Sequence, residues 1–273
     1  MRRIIKRADR IACKMLEIFK NWRCPEGKSI VLMGSCFSDN LKPFLDEKDF
    51  RVTSNVFGTL FHPIPIFNWL KYACANSISE DEMQLVFHEE MWKSLGGGKA
   101  LRLNSKEELK QLIHSKLNVL HEELKSADTL VITLGTAHAW IHKEFGVVGN
   151  CQRLPQQQFR QELISLNEMI HSGKDTFHLL KQFNSDLKIV LTVSPVKHWR
   201  MGVVENSRSK ARCIELAHEL CKTTDSVYFP SYEFVSDVLR NDTYFESDRC
   251  HPNHRAIELV AEAFLRKALE TEK

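Results

Sequence analysis

At 273 residues the chain is long enough for one large α/β domain or two small ones. Its 43% hydrophobic and 27% charged content match an ordinary folded protein and exclude a disordered chain, and no apolar run approaches the roughly 18 residues of a membrane span. The net charge of +3 is unevenly placed: residues 1–23 hold eight basic and two acidic side chains, so the rest of the chain is acidic. A nucleic-acid binder carries its positive charge on the folded body, so nucleic acid is not an expected partner.

In chain order, the first 28 residues read as a separate basic segment ahead of a domain spanning 29–273. Ile4, Ala8, Ile11, Met15, Ile18 and Trp22 recur at helical spacing and predict an amphipathic helix. Such a helix fits an anionic membrane surface through residues 1–23, but the apolar stripe favours docking on the domain. The segment lacks the uninterrupted apolar stretch of a secretory signal, and a cytoplasmic, at most membrane-peripheral, location is expected.

Four runs rich in Val, Ile or Leu then predict strands at Ser29–Met33, Thr129–Leu134, Leu187–Val193 and Ser226–Phe229. None alternates with polar residues, which is the pattern of parallel strands covered on both faces. Pro43 is expected to shorten or kink the helix after the first strand. Gly96-Gly97-Gly98 reads as a flexible loop with no phosphate-binding pattern around it. Ser105–Ser126 predicts a long helix opened by a capping box at Ser105 and Glu108. A final amphipathic helix begins near Asn253. Strands alternating with helices give a three-layer α/β/α fold, and in such sheets ligands bind beyond the carboxyl ends of the strands.

The eight cysteines form no C-x-x-C pair and no compact disulfide framework, so neither structural zinc nor any other metal or cofactor is expected. Two short stretches carry chemistry. Gly34-Ser35-Cys36 ends the first strand and starts a helix, placing two candidate nucleophiles where free amides and the helix dipole lower a thiol pKa and cradle an oxyanion. Asp248-Arg249-Cys250-His251-Pro252 precedes the final helix, with Asp248 spaced to fold back on His251 and fix its tautomer.

Several stretches together resemble the GSCFA-domain proteins, a branch of the SGNH/GDSL-like hydrolases. These are Gly34-Ser35-Cys36-Phe37, the segment Asn55 to Pro63, Thr133-Leu134-Gly135-Thr136-Ala137, Asn150 to Pro155, Ser194 to His198 followed by Asn206 and Ser209-Lys210, Pro230 to Glu233, and Asp248 to Pro252. The resemblance implies a flavodoxin-like three-layer fold and acyl-ester chemistry by a nucleophile–His–Asp set. Its frame puts the nucleophile two residues after the glycine, on Cys36, with Ser35 the neighbouring candidate, His251 the base and Asp248 its orienter.

The same frame gives the Gly58 N–H to the oxyanion hole. The third block, Gly135-Thr136-Ala137, lacks the usual asparagine donor, for which Asn150 or the Asn55 amide are substitutes. Val56, His138 and Gln152 depart from the family's usual residues. His198 follows a strand end and reads first as a loop hydrogen-bonder, with lining the pocket or assisting proton transfer the alternative, and Trp140, Trp199 and Tyr232 are candidates for sugar stacking or equally for ordinary core. Ser209-Lys210 reads as a helix start, with the lysine free to meet an acidic substrate.

The implied function is hydrolysis of an acyl, such as acetyl, ester of a carbohydrate or small metabolite. The alternatives are acyl transfer in polysaccharide or cell-envelope synthesis and a non-catalytic ligand-binding relative. A glycan or small-molecule acyl ester is therefore the expected partner.

Overall fold

A computed structural model describes residues 27–266 together with Ile18. The basic N-terminal helix predicted over residues 1–23 otherwise lies outside the described residues; Ile18 itself is partly buried against the core.

The elements run β1 (Ser29–Gly34), α1 (Cys36–Asp46), β2 (Arg51–Ser54), α2 (Pro63–Ala75), β3 (Leu85–His88), β4 (Met91–Ser94), β5 (Arg102–Leu103), α3 (Lys106–Ser126) and β6 (Thr129–Leu134). They continue with β7 (His138–His142), β8 (Gly146–Val148), β9 (Phe159–Leu163), α4 (Leu166–Phe183), β10 (Lys188–Val193), α5 (Val203–Thr223), β11 (Ser226–Phe229) and α6 (His254–Phe264).

The four predicted strands pair in one parallel sheet of order β11-β10-β6-β1-β2. Alternation explains why their sequences are continuously apolar. In β1, Val31 and Met33 enter the core under α2, α3, α4 and α5, whereas Ile30 and Leu32 enter a second core with α1 and α6. The inner strands β1, β6 and β10 thus bury both faces, while β11 at the edge leaves Val227 exposed, and helices on both sides give the three-layer α/β/α arrangement.

β2 was not among the predicted strands. At four residues with an exposed Arg51, it is a short edge strand without an apolar run. Two three-stranded antiparallel excursions, β3-β4-β5 and β8-β7-β9, were also not foreseen. Helix α1 runs through Pro43 to Asp46, so the proline does not end it.

The glycine triplet is not a flexible loop. Gly98 donates its N–H to Phe57 O at 2.7 Å, and a Cβ on Gly98 would stand 2.9 Å from the Gly58 backbone. The glycines allow two backbones to pack in contact, which fixes the excursion against the segment after β2.

Candidate active site

The site is built where β1, β6 and β10 end. Gly34 has φ +134°, and a Cβ there would lie 2.1 Å from Thr133 O on the neighbouring strand. Glycine is therefore required for the chain to leave β1 beside β6 and enter α1 directly. The turn is clamped from outside, because Gly34 N–H donates to Asn55 Oδ1 at 2.8 Å and Ser35 N–H to Thr133 O at 3.1 Å.

The two candidate nucleophiles differ in what surrounds them. Ser35 is fully buried, and its hydroxyl accepts the Phe37 N–H as the cap of α1. Cys36 is partly exposed at the first position of the helix.

The sequence led us to expect a lowered thiol pKa. Instead, burial raises the Cys36 thiol and the Asp39 carboxylate raises it further, outweighing the Cys36 amide, the Lys210 ammonium and the Phe37 amide. The helix terminus acts in the expected direction, but desolvation is the larger effect. A thiol held in this state needs a base at the moment of attack.

The candidate for that base is His251. His251 Nδ1 lies 2.6 Å from Asp248 Oδ2, and Asp248 Oδ1 accepts the backbone N–H groups of Cys250 and His251 at 2.8 and 3.0 Å. These bonds, led by those from His251, hold the Asp248 carboxyl down to about 2. The pair leaves Nε2 as the outward nitrogen of a half-exposed ring. Lys197 N–H donates to Cys250 O at 3.0 Å, and the Lys197 ammonium sits 3.8 Å over the Phe245 ring, so the loop after β10 anchors the histidine loop. Among the described residues no hydrogen bond joins Cys36 Sγ to His251; such contacts are often formed only once substrate is bound.

Ser209-Lys210 does not start a helix but lies inside α5, which begins at Val203, and Lys210 is not free to meet a substrate. It is 1% exposed, and its Nζ donates to Gly135 O at 2.6 Å and Ser194 O at 2.7 Å, across the tips of β6 and β10. Burial brings its pKa down to about 8, opposed by the nearby Cys213 and Cys36 thiols. A signal was present, since Asn206, Ser209, Lys210, Cys213 and Leu220 share the buried stripe of α5.

The remaining candidates have structural partners. Gly58 N–H donates to Asn55 O at 2.6 Å, which engages the donor assigned to the oxyanion hole. Asn55 holds the α1 turn, with its Nδ2 3.5 Å from Ser35 O. Asn150 Oδ1 caps Gln152 N–H at 2.8 Å, and none of its hydrogen bonds reaches that turn. The Gly135 and Thr136 N–H groups both donate to Phe61 O. Ser209 Oγ accepts the Ala137 N–H at 2.8 Å and shares a 2.8 Å hydroxyl–hydroxyl bond with Thr136 Oγ1, which in turn accepts the His138 N–H. His198 N–H donates to Asn206 Oδ1 at 2.7 Å. Burial above all, then the Lys210 and His251 charges, holds the His198 ring down to about 3.

The parallel sheet covered by helices defines a three-layer α/β/α protein, with the Cys36 turn at the tip of its first strand and the Asp248–His251 loop tied to the loop after β10. The model of the GSCFA family matches residues 29–264, and the chain belongs to the GSCFA family. A search of curated proteins found no match. No helix among the described residues is long and apolar enough to cross a membrane.

Proposed function

We propose that the protein is a cysteine-dependent hydrolase of acyl esters, with Cys36 as nucleophile, His251 as general base and acid, and Asp248 as its orienter. The observation that carries this reading is the 2.6 Å Asp248–His251 contact, which fixes the ring tautomer needed to take a proton on Nε2. The raised thiol pKa fits the same scheme, because a protonated thiol gains most from a paired base.

In the first half-reaction His251 Nε2 takes the Cys36 proton as sulfur attacks the ester carbonyl carbon. The negative charge moves to the carbonyl oxygen, where the Cys36 N–H at the start of α1 and the Lys210 charge oppose it. The C–O bond then breaks, and His251 returns the proton to the departing alcohol. In the second half, His251 deprotonates a water that attacks the thioester carbonyl; the C–S bond breaks, the acid leaves and the proton returns to sulfur.

Exposure to p-nitrophenyl acetate followed by intact mass and adduct mapping tests this scheme. An acetyl adduct on Cys36, release of p-nitrophenol, and loss of both in Cys36→Ala with strong slowing in His251→Ala are expected. Equal rates in wild type and both variants overturn the proposal.

A further inference from the structure

A cavity of about 240 Å³ opens between the β6–β7 connection and the loop after β10. The backbone ties it to the Cys36 turn. Phe61 forms one wall; its carbonyl accepts the Gly135 and Thr136 N–H groups, and the N–H of its neighbour Leu60 donates to Gly34 O at 2.9 Å. Thr136 and Ser209 form another part of the wall. They are the chain neighbours of Gly135 and Lys210, which the 2.6 Å Lys210 hydrogen bond joins.

The wall is polar by residue name but mainly carbon by surface. Thr136 and Ser209 are engaged with each other and with the Ala137 and His138 N–H groups, and Asn206 Oδ1 accepts the His198 N–H. His62 Nε2, His198 Nε2 and both ring nitrogens of His138 are shut away from any probe, so these rings show the cavity chiefly their carbon edges. Phe61, Trp140, Val148 and Met201 add apolar surface, and the exposed Gln161 and Arg200 stand at the rim.

A second observation points the same way. Trp199, Val203 and Val204, which flank Met201 in the chain, are three of the seven large apolar side chains exposed among the described residues. Apolar surface gathered on one short segment marks contact with an apolar partner, whereas single exposed residues need no explanation.

Size narrows the ligand further. A dry cavity of roughly 150 Å³ with apolar walls admits benzene, so by proportion this one has room for roughly six to ten carbons. Each methylene moved out of water should tighten binding about fourfold.

We propose that this cavity receives an unbranched, medium-length hydrocarbon chain, the acyl tail of the ester, lying between Trp140 and Met201. Binding of the chain stands on the cavity alone, whereas its role as the acyl tail rests on the hydrolase reading.

Titration calorimetry on the full chain tests the cavity, with n-butanol and n-octanol as neutral probes that carry no ester. Octanol should bind saturably and about tenfold or more tighter than butanol, in wild type and in Cys36→Ala alike. Met201→Trp, which fills the mouth, and Trp140→Ala, which strips a wall, should each weaken octanol about tenfold, with urea unfolding as the check that both are folded. No saturable binding, equal binding of the two alcohols, or unchanged octanol binding in either folded variant overturns the proposal.

Ester kinetics test the role of the chain. The kcat/KM for p-nitrophenyl octanoate should exceed that for the acetate about tenfold or more, and Met201→Trp should lower the octanoate value alone. Octanol binding with equal kcat/KM for the two esters would overturn the acyl-tail role. Octanol binding without turnover of either ester would remove the hydrolase reading and leave the cavity assignment. Turnover without octanol binding would remove the cavity assignment alone.

Discussion

The ammonium of Lys210 donates to the carbonyl of Ser194 at 2.7 Å while a second N–H reaches Gly135, so one buried cation ties two strand tips beside Cys36. The thiol stands between this charge and the opposing charge of Asp39. Lys210→Met should therefore raise the Cys36 pKa, and Asp39→Asn should lower it. The pH profile of iodoacetamide alkylation at Cys36 reads both; shifts in the same direction would refute the argument.

Ser35 and Cys36 are separated by a single substitution. Ser35→Ala removes the cap of α1 and should cost about 1 kcal/mol in urea unfolding. It should leave acyl labelling of Cys36 in place. Loss of labelling in folded Ser35→Ala would move the nucleophile to the serine.

Asp248→Asn keeps the shape of the histidine loop but replaces the carboxylate that fixes the His251 ring. Ester turnover should fall about 100-fold or more, the usual scale of a general base left unoriented, with little change in the unfolding midpoint. A turnover equal to wild type would leave the Asp–His pair a loop tie only.

The buried histidines make the fold acid-sensitive. His62 and His198 bind protons near pH 6.5 when unfolded but only near pH 3 when folded. Between those values the unfolded chain holds more protons, so stability rises with pH and is lost as pH falls from about 6.5 toward 3. Each group contributes about 1.4 kcal/mol per pH unit within that window. Urea midpoints at pH 7, 6 and 5 should decline steeply, and a flat profile would show that these rings are not held neutral.

Gly34→Ala places a Cβ against Thr133 O in a backbone region that side chains rarely adopt. The cost should be about 3 kcal/mol or more, read by urea unfolding, with loss of Cys36 reactivity. A variant of wild-type stability would mean that β1 leaves the sheet by another path.

Most of the sheet was legible because its strands are buried on both faces and so read as unbroken apolar runs. The edge strand β2 and the two antiparallel excursions were not, since Arg51–Ser54 and Phe159–Leu163 carry polar residues where burial is partial. Gly34, Cys36, Asp248 and His251 stood out through local spacing, a strand end or a three-residue turn. The raised thiol pKa was hidden because desolvation depends on what covers Cys36, which spacing does not reveal. The glycine triplet was misread because extreme flexibility and extremely close packing call for the same residue.

Helices α1 and α6 pack on each other over one core, where Phe37, Leu41 and Leu45 meet Ala256, Ile257 and Phe264. The first of these helices begins at the thiol, and the second follows directly on the histidine loop. A substitution in this apolar layer that leaves the fold compact can still shift the thiol turn and the histidine loop against each other, so one buried methyl group is felt at two distant ends of the chain.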